Sequence, residues 1–142
     1  MKENNKIQLK FNSLSQNESL ARGVVGCFAI QLNPSVAELN DIKTAISEAV
    51  TNCIVHAYPD KSGEIVLEAE IENGNLHINI FDKGIGIENI EEALQPFFTS
   101  KEDDERSGMG FTIMQSFMDD VKVYSKKGEG THIYMLKKIL AD

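Results

Sequence analysis

The stretch from Ile65 to Asp82 leaves this chain the least freedom. Ile65, Leu67, Ala69 and Ile71 alternate with polar residues, Asn73-Gly74 follows, and Leu76, Ile78 and Ile80 resume the alternation. A period of two gives each strand one apolar face, and Asn-Gly adopts the positive φ angles of a tight hairpin turn. The segment therefore reads as an antiparallel hairpin with one covered face. Extending the parity to Asp82 puts a carboxylate on that face, where it needs a hydrogen-bonding partner. Next comes Lys83-Gly84-Ile85-Gly86-Ile87, whose two glycines permit backbone geometry or close approach that a side chain would forbid. An Asp before glycines is also ordinary turn chemistry.

Helices must supply the cover. Ser35-Val-Ala-Glu38 has the form of a capping box, after which Leu39, Ile42, Ile46, Ala49, Val50, Cys53 and Ala57 share one arc. Tyr58-Pro59 marks the exit of a helix of about six turns. Opposite the arc, Glu48, Asn52 and His56 recur every four residues as a polar stripe. Such a stripe is either solvated or functional. An earlier helix, capped by Ser15 or Asn17, carries Leu20, Val24, Cys27, Phe28 and Leu32 at helical spacing and ends at Asn33-Pro34, with Glu18 and Arg22 on its polar side. Before it, Ile7, Leu9 and Phe11 alternate in a strand over Lys6–Asn12.

Downstream, Ile90 to Gln95 suggests a short helix stopped by Pro96, and residues 97–108 read as a lid with acids from Glu102 to Glu105 between Lys101 and Arg106. Gly108-Met-Gly110-Phe111 opens a helix containing Ile113, Met114, Phe117 and Met118. Free N–H groups at such a glycine-rich start bind anions. Val121–Ser125 and Thr131–Leu136 form a last strand pair around the turn at 126–130. Strands and helices interleave without a regular βαβ alternation. The expectation is an α+β, two-layer architecture, with a mixed, largely antiparallel sheet covered on one face by helices, in a single domain spanning 1–142.

Composition narrows the chemistry. The formal charge of −8 over 142 residues repels a phosphate backbone and argues against direct nucleic-acid binding. No apolar run approaches the roughly 18 residues needed to span a bilayer, and no leader opens the chain, so a soluble cytoplasmic protein is expected. Cys27 and Cys53 lack metal-ligand spacing and read as reduced, core-filling residues.

Taken singly these features are weak; in series they are specific. Glu-x-x-x-Asn on a helix, Asp-x-Gly-x-Gly after a strand, a lid, Gly-Met-Gly at a helix start and then Gly130-Thr131 resemble the Bergerat ATP-binding fold of gyrase, Hsp90, sensor histidine kinases and MutL. The runs Ser47–Asn52 and Ser107–Met114 are similar to those of the sporulation anti-sigma serine kinases. The resemblance implies ATP or ADP with Mg²⁺ as cofactors. It further implies that Asp82 accepts from the adenine amino group and Thr131 supports the same base. Gly84 and Gly86 would let the loop hug the nucleotide, Asn52 would hold Mg²⁺, and Glu48 would be the general base. Gly108 and Gly110 would present phosphate-binding N–H groups, with Phe111 and Thr99 also in the nucleotide site and Lys101 or Arg106 stabilising transferred charge.

The same resemblance implies a homodimeric anti-sigma factor. It would bind and inhibit a sporulation sigma factor and phosphorylate an anti-anti-sigma antagonist on serine, with Arg22 as a partner contact. The histidines His56, His77 and His132 lie in a helix and two strands, not on a separate phosphoacceptor segment. A nucleotide-gated binding module without kinase activity is the alternative, and a bare ATPase a weaker third.

Overall fold

The computed structural model describes residues 4–59, 61–86 and 110–139. Its sheet has five strands, β1 (Asn5–Asn12), β2 (Glu64–Glu72), β3 (Asn75–Asp82), β4 (Asp120–Lys126) and β5 (Gly130–Lys138). They lie in the order β1-β2-β3-β5-β4, every neighbour antiparallel. The expected α+β sheet is therefore fully antiparallel among the described strands. Its order, which alternation could not give, inserts β5 between β3 and β4.

The β2–β3 hairpin forms as its turn chemistry demands. Asn73 and Gly74 have φ of 53° and 81°, and Glu72 faces Asn75 across the closing pair. Leu76, Ile78, Ile80 and Asp82 all lie on the buried side of β3. That face packs against α1 (Gln16–Ala29), α2 (Val36–Asn52) and α3 (Gly110–Phe117). Ile42, Ile46, Leu67, Ile78, Met114 and Ile133 are fully buried between the layers.

The capping box of α2 is present in both directions: Ser35 Oγ accepts from Glu38 N at 3.0 Å, and Glu38 Oε1 accepts from Ser35 N at 2.8 Å. The end of this helix is less regular than expected. After Asn52 the chain widens into a π turn, Cys53–Ala57, before leaving at Tyr58. Neither proposed cap of α1 works as one. Ser15 makes no side-chain cap bond, and Asn17 Nδ2 donates back to Asn12 O.

The inward face of α1 also differs from the expected arc. Ala21, Val25, Phe28, Ala29 and Leu32 are buried, whereas Leu20 is 49% exposed. Cys27 is likewise exposed, which corrects its reading as a core residue; Cys53 is buried. His77 and His132 lie in β3 and β5, and His56 lies in the π turn. Among the described residues no helix is long and apolar enough to cross a membrane.

Candidate functional site

The site is built where β3 ends beneath the π turn. Register pairs Asp82 with Thr131 across β3 and β5, and Thr131 with Ser125 across β5 and β4. These side chains form a polar row at one end of an otherwise apolar face. Asp82 Oδ1 accepts from Gly84 N at 2.9 Å and from Thr131 N at 3.2 Å. The buried Cys53 thiol adds a weak contact to the carboxylate. Oδ2 is buried with no partner of ordinary hydrogen-bond geometry.

Burial raises the Asp82 pKa above the ordinary carboxylate range, against the opposing effects of the Gly84 N–H, the Cys53 thiol and the Thr131 N–H. Burial, followed by the Asp82 charge, pushes the Cys53 thiol well up, so it stays protonated and unreactive. An orphan carboxylate oxygen in such a setting needs a donor, which a ligand or a water can supply.

The glycine loop is held from below. Ile85 N donates to Ala57 O at 3.0 Å, and Gly128 N donates to Ile85 O at 2.6 Å. A Cβ on Gly84 would lie 2.2 Å from Ala57 O, and one on Gly86, whose φ is +76°, would lie 2.0 Å from Lys126 O. Both glycines are therefore required by close approach of backbone, as expected, and the approaching atoms belong to the protein's own Ala57 and Lys126. Tyr58 fastens the same loop: its hydroxyl accepts from Lys83 N at 2.7 Å and donates to Glu64 O at 2.8 Å.

On α2, Glu48 and Asn52 are half-buried. A Cβ on Gly110 would lie 3.6 Å from Glu48 Oε1, so the carboxylate reaches the first turn of α3. Phe111 inserts its ring into the core, which leaves only its backbone for a ligand. The nearby Thr112 hydroxyl is buried and unpartnered. Arg22 is not a loose surface charge: it pairs with Glu18 at 3.0 Å and donates to Ser47 Oγ at 3.3 Å, while Ser47 donates to Glu18 at 2.8 Å. Thr99, Lys101, Arg106, Gly108, the lid at 97–108 and the short helix at 90–95 lie outside the described residues.

Tyr58, Ser125, Cys53 and Gly130 had no site role in the sequence reading. Gly130 has φ +90°, and its missing Cβ would lie 2.1 Å from Asp82 O. Its only available signal was its place before Thr131. Among the described residues no cluster of three His, Cys, Asp or Glu side chains could hold a metal. A hard divalent cation here would rest on few protein ligands, such as the Asn52 amide oxygen, together with ligand oxygens.

The family model for the histidine kinase-like ATPase domain matches residues 11–137. The anti-sigma F factor of Clostridium acetobutylicum is 55% identical over 94% of this chain and 94% of its own length. That of Caldanaerobacter subterraneus subsp. tengcongensis is 54% identical over 98% and 97%. A structure of the RsbU and RsbW domains of a Mycobacterium tuberculosis protein superposes with a TM-score of 0.69 at 18% identity, over 95% of this chain. This chain spans 32% of that structure. The mycobacterial sensor histidine kinase MprB superposes with a TM-score of 0.58 at 15% identity, over 94% of this chain and all of that one. At these identities the two structures speak to the fold alone.

Proposed function

This chain is a member of the anti-sigma F factors, within the histidine kinase-like ATPase domain family, and from that premise we propose a Mg-ATP-dependent kinase that phosphorylates an antagonist protein on serine. In the same reading it binds and inhibits a sporulation sigma factor in the cytoplasm as a homodimer, and the phosphoacceptor is an anti-anti-sigma protein.

The observation that carries the nucleotide reading is Asp82 Oδ2, a buried acceptor without a partner. A donor on a base edge satisfies it. Thr131 flanks the same position. Bound Mg-ATP supplies the transferable phosphoryl group and the cation that offsets its charge. The chain's residues do the rest. Asn52 offers an amide oxygen to the cation, and the first turn of α3 directs N–H groups at phosphate. Glu48 lies one helical turn from Asn52, about 6 Å along the axis, and removes the proton from the attacking serine hydroxyl. Gly108, Thr99, Phe111 and a lid cation, Lys101 or Arg106, complete the phosphate side of this proposal.

Support for partners comes from charge and exposure. An acidic surface suits a basic partner region. Arg22 stands 40% exposed at the side-chain level, so a partner acid can compete for it with Glu18. Leu20 and Ile30, at 49% and 55% exposure on the outer side of α1 and the turn after it, are apolar surface that a second copy would cover.

The test is a pull-down from the source cell with ATP or ADP, followed by phosphosite mapping on what is retained. A sigma factor and a serine-phosphorylated antagonist are the expected captures. Nucleotide-dependent capture with no phosphorylated protein would favour the binding-module reading instead.

A further inference from the structure

Ser125 is absent from every role assigned above, yet it closes the polar row that Asp82 and Thr131 begin. Its hydroxyl has one proton and two acceptor positions. Ser125 Oγ lies 2.9 Å from Gly130 O, and a carbonyl can only accept, so the serine proton is directed there. Ser125 Oγ also lies 2.7 Å from Thr131 Oγ1. With its own proton committed, Ser125 is the acceptor in that contact and Thr131 the donor. The Thr131 proton therefore points toward β4. What Thr131 keeps for a ligand is lone-pair density, beside the unpartnered Oδ2 of Asp82.

Resting on the reading of this pocket as a base site, we propose that Ser125 is a specificity-determining residue: it holds Thr131 as an acceptor, so the pocket presents acceptors only. Such an edge is satisfied by the direct approach of an exocyclic amino group, which carries two N–H donors. A 6-oxopurine places an acceptor in that position and meets two acceptors, an unfavourable pairing that excludes it. Without the Ser125 hydroxyl, the Thr131 hydroxyl is free to turn and donate to a 6-oxo group. The penalty against the 6-oxopurine then falls, while binding of the 6-aminopurine changes less. Ser125 acts through Thr131 and does not touch the ligand.

The experiment compares ADP with IDP, its 6-oxo counterpart, by calorimetry on the full chain and on three variants. Ser125→Ala removes the hydroxyl; Ser125→Thr and Ser125→Val form a nearly isosteric pair, both suited to a strand, that differ in having it. The wild type and Ser125→Thr are expected to prefer ADP to the same degree. In Ser125→Ala and Ser125→Val the ratio of IDP to ADP dissociation constants should narrow by about 3- to 10-fold, the span of one redirected neutral hydrogen bond. An unchanged ratio in Ser125→Val, or parallel weakening of both ligands, overturns the role of Ser125 and leaves the pocket intact. No preference for ADP in the wild type overturns the base-site reading itself.

Discussion

At the scale of single residues, Asp82 does two opposed things. Its raised pKa in the nucleotide-free chain arises first from burial, so the folded state holds that proton more tightly than the unfolded one. The stabilising contribution of this group is therefore full in acid, below the unfolded carboxylate range, and is lost as pH rises through the raised value. In the proposed role of Asp82 as an acceptor for the base, nucleotide binding has the other sign, because only the ionised carboxylate presents two acceptors. ADP affinity should rise with pH across that same window. Replacing Asp82 with Asn removes the buried charge but turns an N–H toward the ligand. We expect unchanged or higher stability for the nucleotide-free chain at neutral pH. ADP affinity should fall roughly 10- to 150-fold, the range for losing a hydrogen bond to a charged group. Thermal unfolding and calorimetry on Asp82→Asn check both, and a variant that loses stability while retaining affinity would remove Asp82 from this role.

Secondary-structure elements show where local rules hold and where packing overrides them. At Gly84 an added Cβ meets the Ala57 carbonyl at 2.2 Å, so backbone must move, and the N–H that steadies Asp82 moves with it. Gly84→Ala should cost about 1–3 kcal/mol as overpacking. Gly74→Ala, with φ +81° but open space around it, should cost about 1 kcal/mol from conformation alone. Urea midpoints of the two variants measure the difference, and only Gly84→Ala should also weaken ADP. The hairpin turn, the capping box and the buried parity of Asp82 were legible because each is set by neighbours in sequence. The π turn at Cys53–Ala57 was not, since it follows from docking Ala57 O onto Ile85 N. Nor was the outward turn of Leu20 and Cys27. Helical spacing alone allowed either Leu20, Val24 and Cys27 or Ala21, Val25 and Phe28 to face the sheet, and packing buries the second set. Ser125 and Tyr58 were illegible for the same reason, each acting only through a partner in another strand or loop.

Across the described residues of the molecule, β1 is an edge strand of the antiparallel sheet, and Leu14, Leu20 and Ile30 of the α1 region are exposed. If copies of the chain pair through this side, Leu20→Glu together with Ile30→Glu should convert a dimer to a monomer in sedimentation. ADP affinity should remain within about twofold, since surface substitutions away from a site cost little. A dimer unaffected by both changes would place the interface elsewhere. The 52% or greater identity to anti-sigma F factors over nearly the whole chain assigns the family, while the proposed chemistry turns on Glu48. The most direct measurement is single-turnover transfer of labelled γ-phosphate from ATP to the captured antagonist, comparing wild type with Glu48→Gln. We expect a labelled serine in wild type, a rate lower by about 10²–10⁴-fold in the variant, and ADP affinity retained. Equal transfer by Glu48→Gln, or phosphate released to water with no labelled protein, would contradict it.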